Sequence, residues 1–352
     1  MKAARYYGAR DVRVEDVDPQ PCGPNDVRIE VAACGICGSD LHNYADGIGR
    51  PADEPHPVTG ETLPITIGHE VGGTVVEVGA DVEGPDVGTT VTVNPILWCG
   101  ECRYCDAGRY HRCANRGFVG LSGGGGGFAE ELVVSAEKAV PVPESVPAEL
   151  AATVEPYTVA LHAVNRSAFR TGDDVAVFGA GPIGLMTVQQ LRAAGAGDIY
   201  VSEPRDARRE RAADCGADVA LDPAEADPVE RIHAATGGVD VAYELAGVEG
   251  TVGQAIDATR AGGDVTVVSL FQDPVAIQPT AIVGRERTVT GTAAFQGGPR
   301  AAEEFSVTIR RFATGDLDPE SLVTARLGLD RIDDGFRRLL DDDGDVKVLV
   351  RP

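Results

Sequence analysis

Two groups of residues in the first third of the chain have types and spacings that packing alone does not ask for. Ala33–His42 reads Ala-Cys-Gly-Ile-Cys-Gly-Ser-Asp-Leu-His, which puts two thiols, a hydroxyl, a carboxylate and an imidazole into one turn after an apolar strand. That mixture suits the edge of a metal site at which a proton is also moved. Further on, Cys99, Cys102, Cys105 and Cys113 follow the pattern C-x2-C-x2-C-x7-C. Four thiolates so spaced can close a tetrahedron around zinc and leave no open position, the arrangement of a structural ion. An iron–sulfur cluster is the alternative. His111 lies inside this lobe and reads as solvent-facing.

The first group needs partners, and two short segments offer them. Gly68-His69-Glu70 opens a strand after a Pro-rich loop, and Val154-Glu155-Pro156 opens a helix. Cys37, His69 and Glu155 would supply thiolate, imidazole and carboxylate, three ligands with a fourth position open, as catalytic zinc requires. Either segment alone is ordinary, since an acid at a helix N-terminus already suits the helix dipole. Cys34 could join Cys37 as a second thiolate on one metal, but it ends an apolar strand and reads as core-facing. Cys22 and Cys215 have no partners and read as packing residues.

A third site follows from Phe178-Gly179-Ala180-Gly181-Pro182-Ile183-Gly184, a G-x-G-x-x-G run directly after a strand and entering a helix. Gly179 permits the tight turn, Gly181 lets backbone approach a pyrophosphate, and Gly184 lets helix and strand pack closely. Pro182 and Ile183 open the helix whose N-terminus would hold the phosphates. Glu203 ends the next strand, 19 residues beyond Gly184. An acid there accepts ribose hydroxyls and repels a 2′-phosphate, favouring NAD over NADP. Arg205, Arg208 and Arg209 could soften that preference, or form a solvated helix face.

The elements that must position these groups change character along the chain. The first part alternates in period two (3–7, 12–17, 27–33, 70–78, 89–93, 128–134), as short strands do. From Asp174 onward strands (175–178, 199–202, 239–243, 265–268) alternate with helices, the signature of a parallel, doubly wound sheet. The alternation fades after Gly291, leaving two amphipathic helices and a last strand, 346–350. The five glycines of Ser122–Gly127 read as a flexible surface turn rather than a ligand-contacting loop.

At 352 residues two domains are expected, and no apolar run approaches a membrane span. The chain starts directly on strand-like sequence with no basic-then-apolar leader, so a cytoplasmic location is expected. The net charge is −24, from 55 acids scattered over the chain against 31 bases, of which only Lys2, Lys138 and Lys347 are lysine. Such a surface repels itself unless salt screens it, and suggests a halophilic cytoplasm. It argues against nucleic-acid and membrane partners, and against a nucleic-acid-binding role for the cysteine lobe.

Over essentially its whole length the chain resembles the zinc-dependent medium-chain dehydrogenase/reductase superfamily. The resemblance rests on the segments at 34–42, 68–70, 99–113, 154–156 and 179–184. The loop from Glu54 to Glu61 and the run 120–130 are similar to 2,3-butanediol dehydrogenases of its polyol branch. It implies an α/β fold in which a GroES-like β-rich catalytic domain (1–157, with the zinc lobe at 95–116, and 292–352) flanks a Rossmann doubly wound parallel-sheet domain (158–291). It implies two zincs per chain and NAD. Cys37, His69 and Glu155 match the catalytic ligands. Glu70 matches an acid behind them or an alternative ligand, and Asp40 the carboxylate that orients the ligand histidine. Ser39 and His42 match a proton relay. Zinc would act as Lewis acid on a small secondary alcohol or its ketone, with hydride exchanged with the nicotinamide. A vicinal diol is the first expectation for the substrate, and sorbitol or another polyol, a sugar, or L-threonine the alternatives. Tyr44, Phe118 and Phe271 could line the substrate pocket. A homodimer or homotetramer is expected, with a strand near 289–292 able to pair between copies. A non-catalytic module is disfavoured, because it would have no need of five intact polar site residues.

Overall fold

The computed structural model describes residues 1–299, 301–341 and 344–352. The chain divides into two compact units, 1–155 with 296–352, and 156–295.

The first unit is built on the strand Asp26–Gly35, in which Val27, Ile29 and Val31 point inward while Glu30 stays exposed, the period-two pattern of a half-buried strand. The strand pairs with Glu70–Val78, Glu131–Ser135 and Lys347–Arg351, all antiparallel. The sheet continues through Thr90–Val93 to Ala139–Pro141 on one side and ends at Val323–Gly328 on the other. That last strand runs parallel to Lys347–Arg351 and was not anticipated from periodicity. Val71, Val75, Phe128, Phe336 and Val348 close the core. Tyr44 belongs to it too: it is buried, its ring stacks on Phe336 at 4.8 Å, and its hydroxyl donates to Asp333. It is therefore core and does not line a pocket, because its aromatic face is already covered.

The glycine run is not a loose turn. Gly68 donates to the Gly120 carbonyl, and the Gly127 amide donates to the Gly68 carbonyl at 2.8 Å. A Cβ on Gly120 would overlap the backbone of Gly68. Glycine is used here for close approach of two backbones, and the run packs on residues 66–68, which lead into His69.

The second unit holds a six-stranded, all-parallel sheet in the order Val219–Leu221, Ile199–Ser202, Val175–Phe178, Val239–Glu244, Thr259–Val267, Thr288–Gly291. Val175–Phe178 is buried at every position, as a strand covered on both faces must be. Strands are added to one side of it and then to the other, so the topological switch point lies between Val175–Phe178 and Val239–Glu244. No helix among the described residues is long and apolar enough to cross a membrane.

Candidate active site

Cys37 stands at the N-cap of the helix Gly38–Asp46. Its amide donates to Asp40 Oδ2 at 2.9 Å. The other oxygen of Asp40 faces His69 Nδ1 at 3.5 Å, which leaves Nε2 as the nitrogen available to a metal. Ser39 Oγ lies 3.4 Å from that Nε2. Glu70 begins the next strand, fully buried. Both of its oxygens accept from Lys347 Nζ at 2.8 Å, and Lys347 also donates to the Ile36 carbonyl at 3.0 Å. Gly35 leaves the space that the Glu70 carboxylate fills.

Cys37, His69 and Glu70 each offer a ligand atom, all within 4.8 Å of one another. Glu155 is buried at the start of the helix Val154–Arg166 and lies outside that tight group. Burial pushes its carboxyl up to about 7. Glu70 and Asp40 push the same way, and His69 and Lys347 oppose them. Burial also opposes a charge on His69, but Asp40 and Cys37 outweigh it and hold the imidazole's proton well above its usual range.

Donor chemistry and charge both fit a zinc ion. Three buried carboxylates and a thiol face, among the described residues, His69 and Lys347 as potential cations. Asp40 Oδ1 and His69 Nδ1 find no hydrogen-bond partner among the described residues. A divalent ion held by thiolate, imidazole and carboxylate would offset two of these negative charges in place of the histidine proton. Cys34 is excluded from the site: it is completely buried in the core, and burial raises its thiol well above the usual range. His42 lies one turn beyond Ser39 on the same helix and is exposed.

In the cysteine lobe, the sulfurs of Cys102 and Cys105 lie 3.6 Å apart, those of Cys99 and Cys113 3.5 Å, and those of Cys99 and Cys105 4.0 Å. Tetrahedral zinc with sulfur ligands requires sulfur–sulfur edges of about 3.8 Å. Sulfurs this close cannot surround four irons and four sulfides, so the zinc assignment stands over the cluster. His111 is buried, contrary to the solvent-facing expectation. Its Nδ1 accepts from the Gly297 amide at 3.0 Å, so the lobe is tied to the returning chain, a partner far away in sequence.

In the second unit, Gly179 has φ +100°, and a Cβ there would lie 2.7 Å from the Ala246 nitrogen. Only glycine makes this turn, which gives way to the helix Pro182–Ala193 with its free N-terminal amides. A pyrophosphate fits this cradle. Glu203 is buried beside it: Oε2 accepts from the Ala180 amide at 2.9 Å and Oε1 from the Arg205 amide at 3.1 Å. Arg205 is exposed, as a solvated face requires, but Arg208 and Arg209 are half-buried. Arg209 donates to the Glu203 carbonyl at 2.9 Å and pairs with Asp206 and Asp222, and the Arg208 guanidinium approaches Gly181.

Lys347 was missed from sequence. The available signal was a lysine, one of three in the chain, directly before the apolar run Val348–Val350.

Comparison with known proteins agrees with this geometry. The model of the alcohol dehydrogenase GroES-like domain matches residues 23–144, and that of zinc-binding dehydrogenase matches residues 182–314. The chain is 42% identical over 356 residues to (R,R)-butanediol dehydrogenase of Bacillus subtilis, covering 100% of both chains. It is 33% identical to sorbitol dehydrogenase of the same species, covering 100% of this chain and 97% of that one. The crystal structure of 2R,3R-butanediol dehydrogenase from Bacillus subtilis matches with a TM-score of 0.93 and 41% identity, over 100% of this chain and 99% of that one. Likeness of this extent, carried through both units, makes the chain a member of the zinc-dependent medium-chain dehydrogenase/reductase superfamily.

Proposed function

We propose that this zinc-dependent alcohol dehydrogenase exchanges a hydride between NAD and a small vicinal diol or its hydroxyketone, with 2,3-butanediol and acetoin as the pair. The observation that carries the reading is the 42% full-length identity to a butanediol dehydrogenase, against 33% to a sorbitol dehydrogenase. Sorbitol, another polyol, a sugar and L-threonine are the rival substrates. A panel of butanediol stereoisomers, acetoin, sorbitol and threonine tests it. We expect (2R,3R)-butanediol to have the highest kcat/KM, by about tenfold or more, because site polar groups left unpaired by the wrong substrate cost about 1–3 kcal/mol each. A higher value for sorbitol or threonine overturns the assignment.

The unit of residues 1–155 and 296–352 is then the catalytic domain, and 156–295 the coenzyme domain. Cys37, His69 and Glu155 hold the catalytic zinc, and Cys99, Cys102, Cys105 and Cys113 the structural one. Glu70 stays behind the first site, since Lys347 takes both of its oxygens. Zinc bound there supplies a Lewis acid that lowers the pKa of an alcohol hydroxyl. Asp40 orients His69. Ser39 Oγ receives the hydroxyl proton, and exposed His42 passes it to water, a task suited to an imidazole. Gly179, Gly181 and Gly184, with Pro182 and Ile183 at the helix start, cradle the pyrophosphate, and Glu203 accepts the ribose hydroxyls of NAD.

The same reading extends to assembly and environment. Thr288–Gly291 is an edge of the parallel sheet, and Val289 on it is 37% exposed, with Val283 (77%) and Leu270 (73%) uncovered elsewhere in the same unit. An apolar, unpaired edge invites a second copy of the strand, giving a homo-oligomer. The scattered acids fit a salt-rich cytoplasm. Sedimentation and activity in molar and in dilute salt test both. We expect an active oligomer in molar salt and loss of activity on dilution of the salt. A monomer throughout removes the assembly reading, and full activity in dilute buffer removes the salt reading.

A further inference from the structure

Glu244 is a fully buried carboxylate that neither the zinc sites nor the ribose contact uses. It ends the strand Val239–Glu244, on one side of the switch point, opposite Phe178, the residue before the glycine turn. Its Oε1 accepts three hydrogen bonds: from the Ala246 amide at 3.0 Å, the Gly247 amide at 2.8 Å and Thr251 Oγ1 at 2.8 Å. Thr251 opens the next helix, so one oxygen gathers the whole link from strand to helix. That link is in turn the wall of the dinucleotide turn. Leu245 donates to the Phe178 carbonyl at 2.8 Å, and Ala246 lies where any side chain on Gly179 would go.

A buried carboxylate is costly unless its bonds do something for the fold. Here three of its donors belong to one short segment, and that segment packs on the cofactor turn. We propose that Glu244 is a positioning residue for the dinucleotide: it holds residues 245–251 in the one conformation that completes the cradle beneath Gly179. The inference rests on the reading of Gly179–Gly184 as the NAD site. Where the cradle is formed in only a fraction of molecules, the apparent dissociation constant rises by the inverse of that fraction.

The test uses the intact, zinc-loaded protein and NADH fluorescence. Glu244→Leu removes the acceptor at similar volume. Glu244→Gln keeps Oε1 as an acceptor, and its new amide falls where Oε2 has no hydrogen-bond partner among the described residues. We expect the Kd for NADH to rise about tenfold or more in Glu244→Leu, with faster amide exchange at Ala246 and Gly247. Zinc content and the KM for the alcohol should hold, and Glu244→Gln should restore wild-type affinity. A mere loss of stability would lower Tm and leave Kd unchanged in the folded fraction. Unchanged Kd in folded Glu244→Leu, or Glu244→Gln as weak as Glu244→Leu, overturns the inference. If Glu244→Leu does not fold, Thr251→Val, which removes one of the three bonds, decides: a raised Kd supports positioning and an unchanged Kd overturns it. Failure of the wild-type chain to bind NADH would instead strike the NAD reading itself.

Discussion

Cys37→Ala should abolish alcohol oxidation, lower zinc from two ions per chain to one, and leave NADH binding intact. Removal of the thiolate leaves an imidazole and a carboxylate, too few donors for a zinc that must also keep an open position. The Lewis-acid contribution that disappears is several kcal/mol. At 1.36 kcal/mol per decade, that is a loss of at least about 10³-fold in kcat. The remaining zinc should stay with Cys99, Cys102, Cys105 and Cys113, and the glycine turn has no part in the ligand set. Metal analysis and NADH fluorescence on the same sample separate the three effects. A variant that keeps two zincs and measurable turnover would show that Cys37 is not a ligand. The same assay on Glu155→Ala and Glu70→Gln identifies the carboxylate. We expect zinc to leave with Glu155 and to persist in Glu70→Gln, because Lys347 already occupies the Glu70 oxygens. The reverse result would move the ligand to Glu70.

Lys347→Met should strongly destabilise the unit of residues 1–155 and 296–352. Lys347 is 1% exposed and Glu70 is 0% exposed. Loss of the ammonium strands a buried carboxylate, which costs about 3–5 kcal/mol. For a unit of this size the midpoint of thermal unfolding should fall by roughly 10 °C. The double variant Lys347→Met/Glu70→Gln should recover much of that loss, since no unpaired charge remains. If the double variant is as unstable as the single one, the pair is not the source of the effect. The pH dependence has a definite sign. Burial opposes the charge on Lys347, but Glu70, Cys37 and Glu155 outweigh it and hold its pKa above the ordinary lysine value. A raised cationic pKa gives stability that is complete below the unfolded value and lost as pH climbs through the folded one. The contribution of the Lys347 charge should therefore be complete through neutral pH and be lost only in strong alkali.

The parts of this protein legible from sequence are those whose chemistry is local. Four cysteines within one short loop can reach one ion whatever the rest of the chain does. A glycine run between an apolar strand and a helix implies a phosphate cradle, because turn, approach and packing are all set within seven residues. The change from period-two alternation to strand–helix alternation marked the passage from one kind of domain to another for the same reason.

What required the tertiary structure was everything decided by a distant partner. Glu70 and Lys347 are 277 residues apart and meet only because the last strand lies beside Asp26–Gly35. His111 is polar and sits among loop residues, but it is buried because Gly297 closes over it from 186 residues away. Tyr44 looked like a pocket residue until Phe336 covered its ring. The glycine run looked like a surface turn, and its real constraint is the Gly68 backbone beneath it. Glu244 carried no motif, since its three donors become a site only when the strand ends are brought together. By itself the sequence determined which donor groups exist and which lie within one turn of each other. Burial and the pairing of Glu70 with Lys347 were settled by which strands lie side by side, a long-range outcome with no local signature in the chain.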